Sequence, residues 1–377
     1  MKKKLIFVSY HFFPNKEVGA NRIRFWVKNL ESFGDYEPVV ITATPFTESN
    51  RLVKEQYYVA PTGITPISFL IKDEGIKWRS PLIDFFQSYD VTNVSGVVMT
   101  GGPFMHFSII PKIKKVLNCP VLLDYRDPFA NNPRFNELKL KVWIKRIFEK
   151  RFVKNADVIT SVNSDCLGLL TGFELERNKF HVIPNGYDEE TFKTMKSELS
   201  QKTPTDKFVF IYPGKYYENA SPNNTFVAIK ELIAEEHKIK FVHYGGKESE
   251  SFSILQNDSF IEERGIVDYT EIVKALFNSH VGIIYTAGDV FESTTKVFDY
   301  IGAEIPILVI THGELHSGNI HRITAGYPIV KWCKNNKDEI KQVLLELFDM
   351  NLNIEYPDRL NYTRRRGLEK LLKALEL

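Results

Sequence analysis

One rhythm narrows the fold more than any other feature of this chain. Short apolar runs of strand length recur, each followed by enough residues for a helix. In the first half they fall at 4–10 (KLIFVSY), 39–42, 96–100, 120–124 and 157–161. Between the first two, Ile23, Trp26, Val27 and Leu30 keep the i, i+3, i+4, i+7 spacing of a helix face, and Gly34 is placed to end it. Strands joined by helix-length crossovers form a parallel sheet. The rhythm restarts at 208–212, 239–244, 281–285 and 305–310, and another helix face, Ile340, Val343, Leu344 and Leu347, follows. Between the halves, Pro184, Asn185 and Gly186 are strong turn formers.

The expectation is therefore an α/β protein with two doubly wound parallel-sheet domains, 1–185 and 186–356. A closing helix, 357–377, carries Leu368, Leu371, Leu372 and Leu375 on one face. Two such halves imply a crevice between them, and ligands in these folds gather at the carboxyl ends of the strands. The length of 377 residues suits two domains at about 150 residues each.

Composition removes several function classes. Lys plus Arg minus Asp plus Glu is 49 − 47 = +2, so no global basicity points to nucleic acid. Cys119, Cys166 and Cys333 lie far apart, in neither a metal-type nor a disulfide-type spacing, which fits a reducing cytoplasm. The apolar run after the basic start is too short for a signal-peptide core, and no run approaches the ~18 residues of a spanning helix. A cytoplasmic protein, at most resting on a membrane surface, is expected.

Four segments carry chemistry. The loop after the first strand, 14–22, holds Gly19 where a strand turns into a helix, which suits either close approach to a ligand or an ordinary tight turn. LDYRDP at 123–128 crowds Asp124, Arg126 and Asp127 at a strand end, to touch substrate or to close the strand as an internal ion pair. His106 follows the turn Gly101-Gly102-Pro103 and is by itself more often structural than catalytic. YPGK at 212–215 sets Gly214 and Lys215 after the first strand of the second half, suited to a diphosphate. In 291–306 (FESTTKVFDYIGAEIP), Ser293, Thr294 and Thr295 look like a helix start that either caps the helix or aims free N–H groups at an anion. Glu292 and Asp299 flank that start, and a carboxylate suits the paired hydroxyls of a sugar or ribose.

These segments, with ADVITSVNSDCL and HVIPNGYDEETF in the same order and spacing, resemble the bacterial family-4 retaining glycosyltransferases, over nearly the whole length. The nearer likeness is to a subgroup with an Asp-x-Arg-Asp-Pro segment. The resemblance implies the GT-B fold, two Rossmann-like domains facing each other across a cleft, with the last helix returning to the first domain. It implies transfer of a sugar from a UDP- or GDP-linked donor to a hydroxyl of a glycan or lipid-linked glycan, with retention and without a metal or other cofactor. Cell-surface polysaccharide synthesis is the setting it suggests. The implied catalytic residues are Lys215, Asp127, Arg126 and Glu292. Donor binding falls to Gly19, Gly214, Lys215, Ser293, Thr294, Thr295, Lys296 and Asp299, and the acceptor side to Asn21, Arg22, His106 and Asp124.

The chain also departs from the family. The usual second lysine after Lys215 is missing, and Glu292 stands seven residues before Asp299 instead of the usual eight. A catalytically silent paralogue that binds sugar nucleotides or serves as a scaffold, and a nucleotide-sugar epimerase, are the alternatives. Finally, seven basic residues between Lys139 and Lys154 (Lys139, Lys141, Lys145, Arg146, Lys150, Arg151, Lys154) face one acid, Glu149. Trp143, Ile144, Ile147, Phe148 and Phe152 are interleaved with them, as on a basic amphipathic helix resting on anionic lipid at the inner face of the cell membrane. The competing reading is ordinary packing of the aromatics into the core.

Overall fold

The computed structural model describes residues 2–15, 18–63, 70–199, 206–246 and 258–377. By contacts the chain divides into two compact units, Met1–Asn185 with Arg364–Leu377, and Gly186–Thr363.

The first unit is built on β1 (Lys3–Ser9), β2 (Tyr36–Thr42), β3 (Glu55–Tyr58), β4 (Val94–Thr100), β5 (Val121–Tyr125), β6 (Val158–Ser161) and β7 (Phe180–Val182). They form one parallel sheet in the order β3-β2-β1-β4-β5-β6-β7. Helices cover both faces, which is why β1 is apolar at consecutive positions instead of alternate ones. Leu5 and Phe7 join Trp26, Leu30 and Val98 on one side, while Ile6 and Val8 join Trp78, Phe86 and Phe107 on the other. The closing helix, Arg364–Ala374, docks on the first of these faces, with Leu368, Leu371, Leu372 and Leu375 all buried. Burying one such leucine contributes about 1.5–3 kcal/mol. The return to the first unit begins at Arg364; residues 357–363 stay with the second unit.

The second unit repeats the plan with β8 (Phe208–Pro213), β9 (Ile239–Tyr244), β10 (Ile261–Glu263), β11 (Val281–Thr286), β12 (Ile307–Thr311) and β13 (Val330–Lys334). Their order is β10-β9-β8-β11-β12-β13, again parallel. In each sheet the strand order reverses once, between β1 and β4 and between β8 and β11. The chain leaves these neighbours toward opposite faces, so a crevice opens at their carboxyl ends.

Candidate functional site

In the second unit, the reversal brings two of the four sequence segments together. The chain leaves β8 through Gly214 and Lys215, and leaves β11 through residues 287–295 into the helix Lys296–Ala303. A Cβ on Gly214 would lie 2.1 Å from Cε of Lys296, so the lysine passes over the glycine where a side chain would otherwise stand. The Lys296 ammonium sits 5.0 Å from the centre of the Tyr212 ring and 3.4 Å from Oγ1 of Thr294. Burial pulls its pKa down, and the carboxylates of Glu292 and Asp299 pull it back up. Lys215, by contrast, is exposed, its ammonium 5.4 Å from the Tyr217 ring centre. The cation that crosses the strand-end glycine is therefore Lys296, brought from the helix, whereas the sequence pattern puts Lys215 first.

Around that cation the helix start is open. Thr295 makes no side-chain capping bond, and Oγ of Ser293 is buried without a partner among the described residues. Capping does not consume these hydroxyls, and the first-turn amides keep their partial positive charge. The two acids are partly engaged: Thr286 Oγ1 donates to Glu292 at 2.5 Å, and the Tyr269 hydroxyl donates to Asp299 at 2.5 Å. Asp299 lies in the first turn of the helix and is 6% exposed. Cation, amides, hydroxyls and acids thus meet around one glycine, an arrangement suited to a diphosphate carrying a ribose.

In the first unit, Arg126 fills the reversal point. It donates to the Gly101 carbonyl at 3.1 Å, and a Cβ on Gly19 would lie 1.9 Å from its Nη1. Arg126 therefore spans the start of the helix Val18–Asn29 and the end of β4. Lys16 and Glu17 of the first loop lie outside the described residues. Asp127 is exposed, 3.9 Å from Arg134, and Asn21 is half-buried.

The other three residues expected on the acceptor side are buried, with their contacts inside the first unit. Asp124 is fully buried and accepts from Arg22 Nη2 at 3.1 Å and Thr160 Oγ1 at 2.7 Å. Arg22 also donates to the Ile183 carbonyl at 2.7 Å and lies 4.4 Å over the Trp26 ring; burial pulls its pKa down, against the pull of Asp124. His106 is enclosed with Trp78 and Phe107, and burial pushes its pKa down to about 3. It is neutral at physiological pH and enclosed by the core.

Polar groups near the carboxyl ends of β4 and β5 converge elsewhere. A cavity of about 250 Å³ is lined by Asp73, Asp127, Arg134 and Lys145 with Phe104, Phe129 and Phe135. Asp73, Arg134 and Phe135 were missed in the sequence, because they come from loops that carry no periodicity. A larger cavity of about 700 Å³ opens at the opposite, amino ends of β5, β6 and β7, where Lys114 pairs with Asp157. Its position away from the strand carboxyl ends sets it apart from the site.

The membrane reading divides along one helix, Lys139–Asn155. Phe152 is buried, and Ile144 and Phe148 pack on the core. Lys145 turns inward to Glu137, 2.5 Å away. Phe135, Leu138, Leu140 and Trp143 are 64%, 71%, 62% and 59% exposed. Among the described residues, no helix is long and apolar enough to cross a membrane.

No protein-family model matches the sequence, and no curated protein does. Solved structures do match, over nearly the whole length. A glycosyltransferase from Rickettsia africae aligns over 100% of this chain and 98% of its own, with a TM-score of 0.70 and 14% identity. HepE from Anabaena, solved in complex with UDP, aligns over 99% of both chains at 0.64 and 9% identity. The UDP-GlcNAc 2-epimerase of Methanocaldococcus jannaschii aligns over 99% of both at 0.60 and 11% identity. At such identities the likeness is one of fold, and the fold is that of the GT-B glycosyltransferases: two all-parallel α/β units, each with one reversal of strand order.

Proposed function

We propose that the protein is a glycosyltransferase. In this reading it moves a sugar from a UDP- or GDP-linked donor to a hydroxyl of a glycan or lipid-linked glycan, in cell-surface polysaccharide synthesis. The observation that carries the proposal is the meeting of Gly214, Lys296, Ser293–Thr295 and Asp299 at the β8/β11 reversal. The hard step in glycosyl transfer is expelling a nucleoside diphosphate. Lys296 and the amides at the start of its helix offset the charge that builds there. Asp299 takes the ribose hydroxyls, and Arg126 and Asp127 serve the acceptor side together with the 250 Å³ cavity. Retention, with the donor phosphate helping to take the acceptor proton, is carried by the sequence resemblance. A UDP-linked donor draws support from HepE, which shares the fold and has been solved with UDP and with UDP-glucose.

The same fold serves an epimerase, so the test must separate outcomes. Nucleotide release from a panel of UDP- and GDP-sugars, with and without glycan acceptors, is the measurement. Transfer gives acceptor-dependent release, and epimerisation converts the sugar while it remains attached to the nucleotide. A silent paralogue gives a donor-dependent rise in melting temperature without turnover. A protein whose melting no donor raises would overturn the proposal.

The reading includes attachment to the inner face of the membrane. Lys139, Trp143, Arg146, Lys150 and Lys154 follow one another at spacings of four, three, four and four, so they share a helix face. The exposed Phe135, Leu138 and Leu140 extend its apolar part. Each lysine or arginine near anionic lipid contributes about 1 kcal/mol, enough in sum for reversible binding. Cosedimentation with phosphatidylserine vesicles should exceed that with neutral ones, fall with salt, and drop on Trp143→Glu. Equal recovery in the supernatant with both vesicle types would remove this part of the proposal.

A further inference from the structure

We infer that His243 is a positioning residue for the donor site, and that its work is to turn the backbone N–H of Lys215 toward the donor diphosphate. The inference rests on the donor reading above and specifies how the Gly214 turn would act in it. His243 lies one residue before the end of β9 and is fully buried. Its Nε2 is 2.7 Å from the Gly214 carbonyl oxygen, and its Nδ1 is 2.6 Å from Oε2 of Glu263. A backbone carbonyl can only accept, so Nε2 carries the hydrogen and donates to Gly214, while the Glu263 carboxyl group holds the other side of the ring. The ring is fixed in its plane by the Tyr216 ring, stacked 3.8 Å away at 15°.

The consequence follows from peptide geometry. In a trans peptide the carbonyl and the next N–H point in opposite directions. Holding the Gly214 carbonyl against His243 therefore turns the Lys215 N–H away from the interior. That N–H has no acceptor among the described residues. The neighbouring groups are tied as well: the Tyr212 hydroxyl donates to the Lys215 carbonyl at 2.8 Å, and the Tyr216 N–H donates to the Gly246 carbonyl at 3.0 Å. The turn is thus held on both sides of one free amide. This amide adjoins Gly214, which Lys296 crosses. A backbone amide fixed in this way meets a phosphate oxygen with no ordering cost at the moment of binding.

The test compares UDP and GDP with their nucleosides by titration calorimetry on the full chain. His243→Leu removes the donor to Gly214 and should weaken diphosphate binding by about tenfold to a hundredfold, the loss of one hydrogen bond to a charged group, while nucleoside binding stays put. His243→Gln can still donate to the carbonyl and should recover most of the loss. Lys215→Pro deletes the amide itself, and the double variant with His243→Leu should lose no more than the greater single loss. If His243→Leu folds poorly, Lys215→Pro is read alone, and its loss should fall on the diphosphate and spare the nucleoside. Unchanged diphosphate binding in His243→Leu and Lys215→Pro, or equal loss of diphosphate and nucleoside, overturns the inference and leaves the donor reading standing. A wild-type protein that binds neither diphosphate overturns both.

Discussion

Lys296→Met is the sharpest perturbation of the donor site, because it removes a charge and keeps a side chain of similar length over Gly214. Two unit charges about 4 Å apart interact by about 4 kcal/mol at the effective dielectric of a protein surface. Lys296 is half-buried, so water and salt reduce that figure, and about 1.5–3 kcal/mol is the usual share of a charge-assisted hydrogen bond. At 1.4 kcal/mol per decade, affinity for UDP or GDP should fall about tenfold to a hundredfold. Burial already works against the ammonium, so the fold should not suffer from its removal. Calorimetric titration with the diphosphate and with the nucleoside gives the comparison. The loss should be confined to the diphosphate and should shrink as salt rises. Lys215→Ala, with its ammonium over Tyr217, should cost less than Lys296→Met. Equal affinity of Lys296→Met and wild type, or parallel loss of nucleoside and diphosphate, would refute the assignment of the cation.

Other perturbations test the frame. Leu371→Ala empties a fully buried site under the closing helix and should cost about 2–5 kcal/mol, read as a lowered denaturation midpoint of the first unit. Arg22→Met should cost about 3–5 kcal/mol by leaving Asp124 buried and uncompensated. Pairing it with Asp124→Leu should restore most of that stability, and a double variant as unstable as the single one would contradict the pairing. His106 has a folded-state pKa of about 3, below the ordinary histidine value of 6.5. The unfolded chain therefore binds a proton that the folded chain refuses. This contribution to stability is intact above pH 6.5 and falls by about 1.4 kcal/mol per unit as the pH drops toward 3. Denaturation midpoints between pH 7 and 5 should fall less steeply for His106→Leu than for wild type.

The legible part of the fold and the missed part are separated by burial. Each of the nine apolar runs corresponds to a strand that has a neighbour on both sides. The four strands the pattern lacks, β3, β7, β10 and β13, are the edges of the two sheets. An edge strand is half-covered: Phe180–Val182 has no buried residue, and neither has Ile261–Glu263. Its sequence need not be apolar, and it leaves no run to find. The same logic divides the site. Gly214 and the 293–299 segment were found because a strand end and a helix start mark their places. The choice of Lys296 over Lys215 was hidden, since it depends on which side chain crosses the glycine.

The segment LDYRDP shows how three adjacent charges come to do different things. The sheet decides it. Asp124 is still inside β5, aligned with Thr100 of β4 and Thr160 of β6, and both faces of that sheet are covered. An acid held there needs a cation, and Arg22 supplies it, three residues after Gly19 on the Val18–Asn29 helix. Arg126 lies just past the end of β5 and reaches across to Gly19 and to the Gly101 carbonyl. Asp127, one residue further, is clear of the sheet and exposed. The interior pair ties the first helix to β5, Arg126 crosses the start of that helix, and of the three charges only Asp127 is exposed. A sequence reader sees three equivalent charges at a strand end. Their roles differ because enclosure falls from Asp124 inside the sheet, through Arg126, to the exposed Asp127.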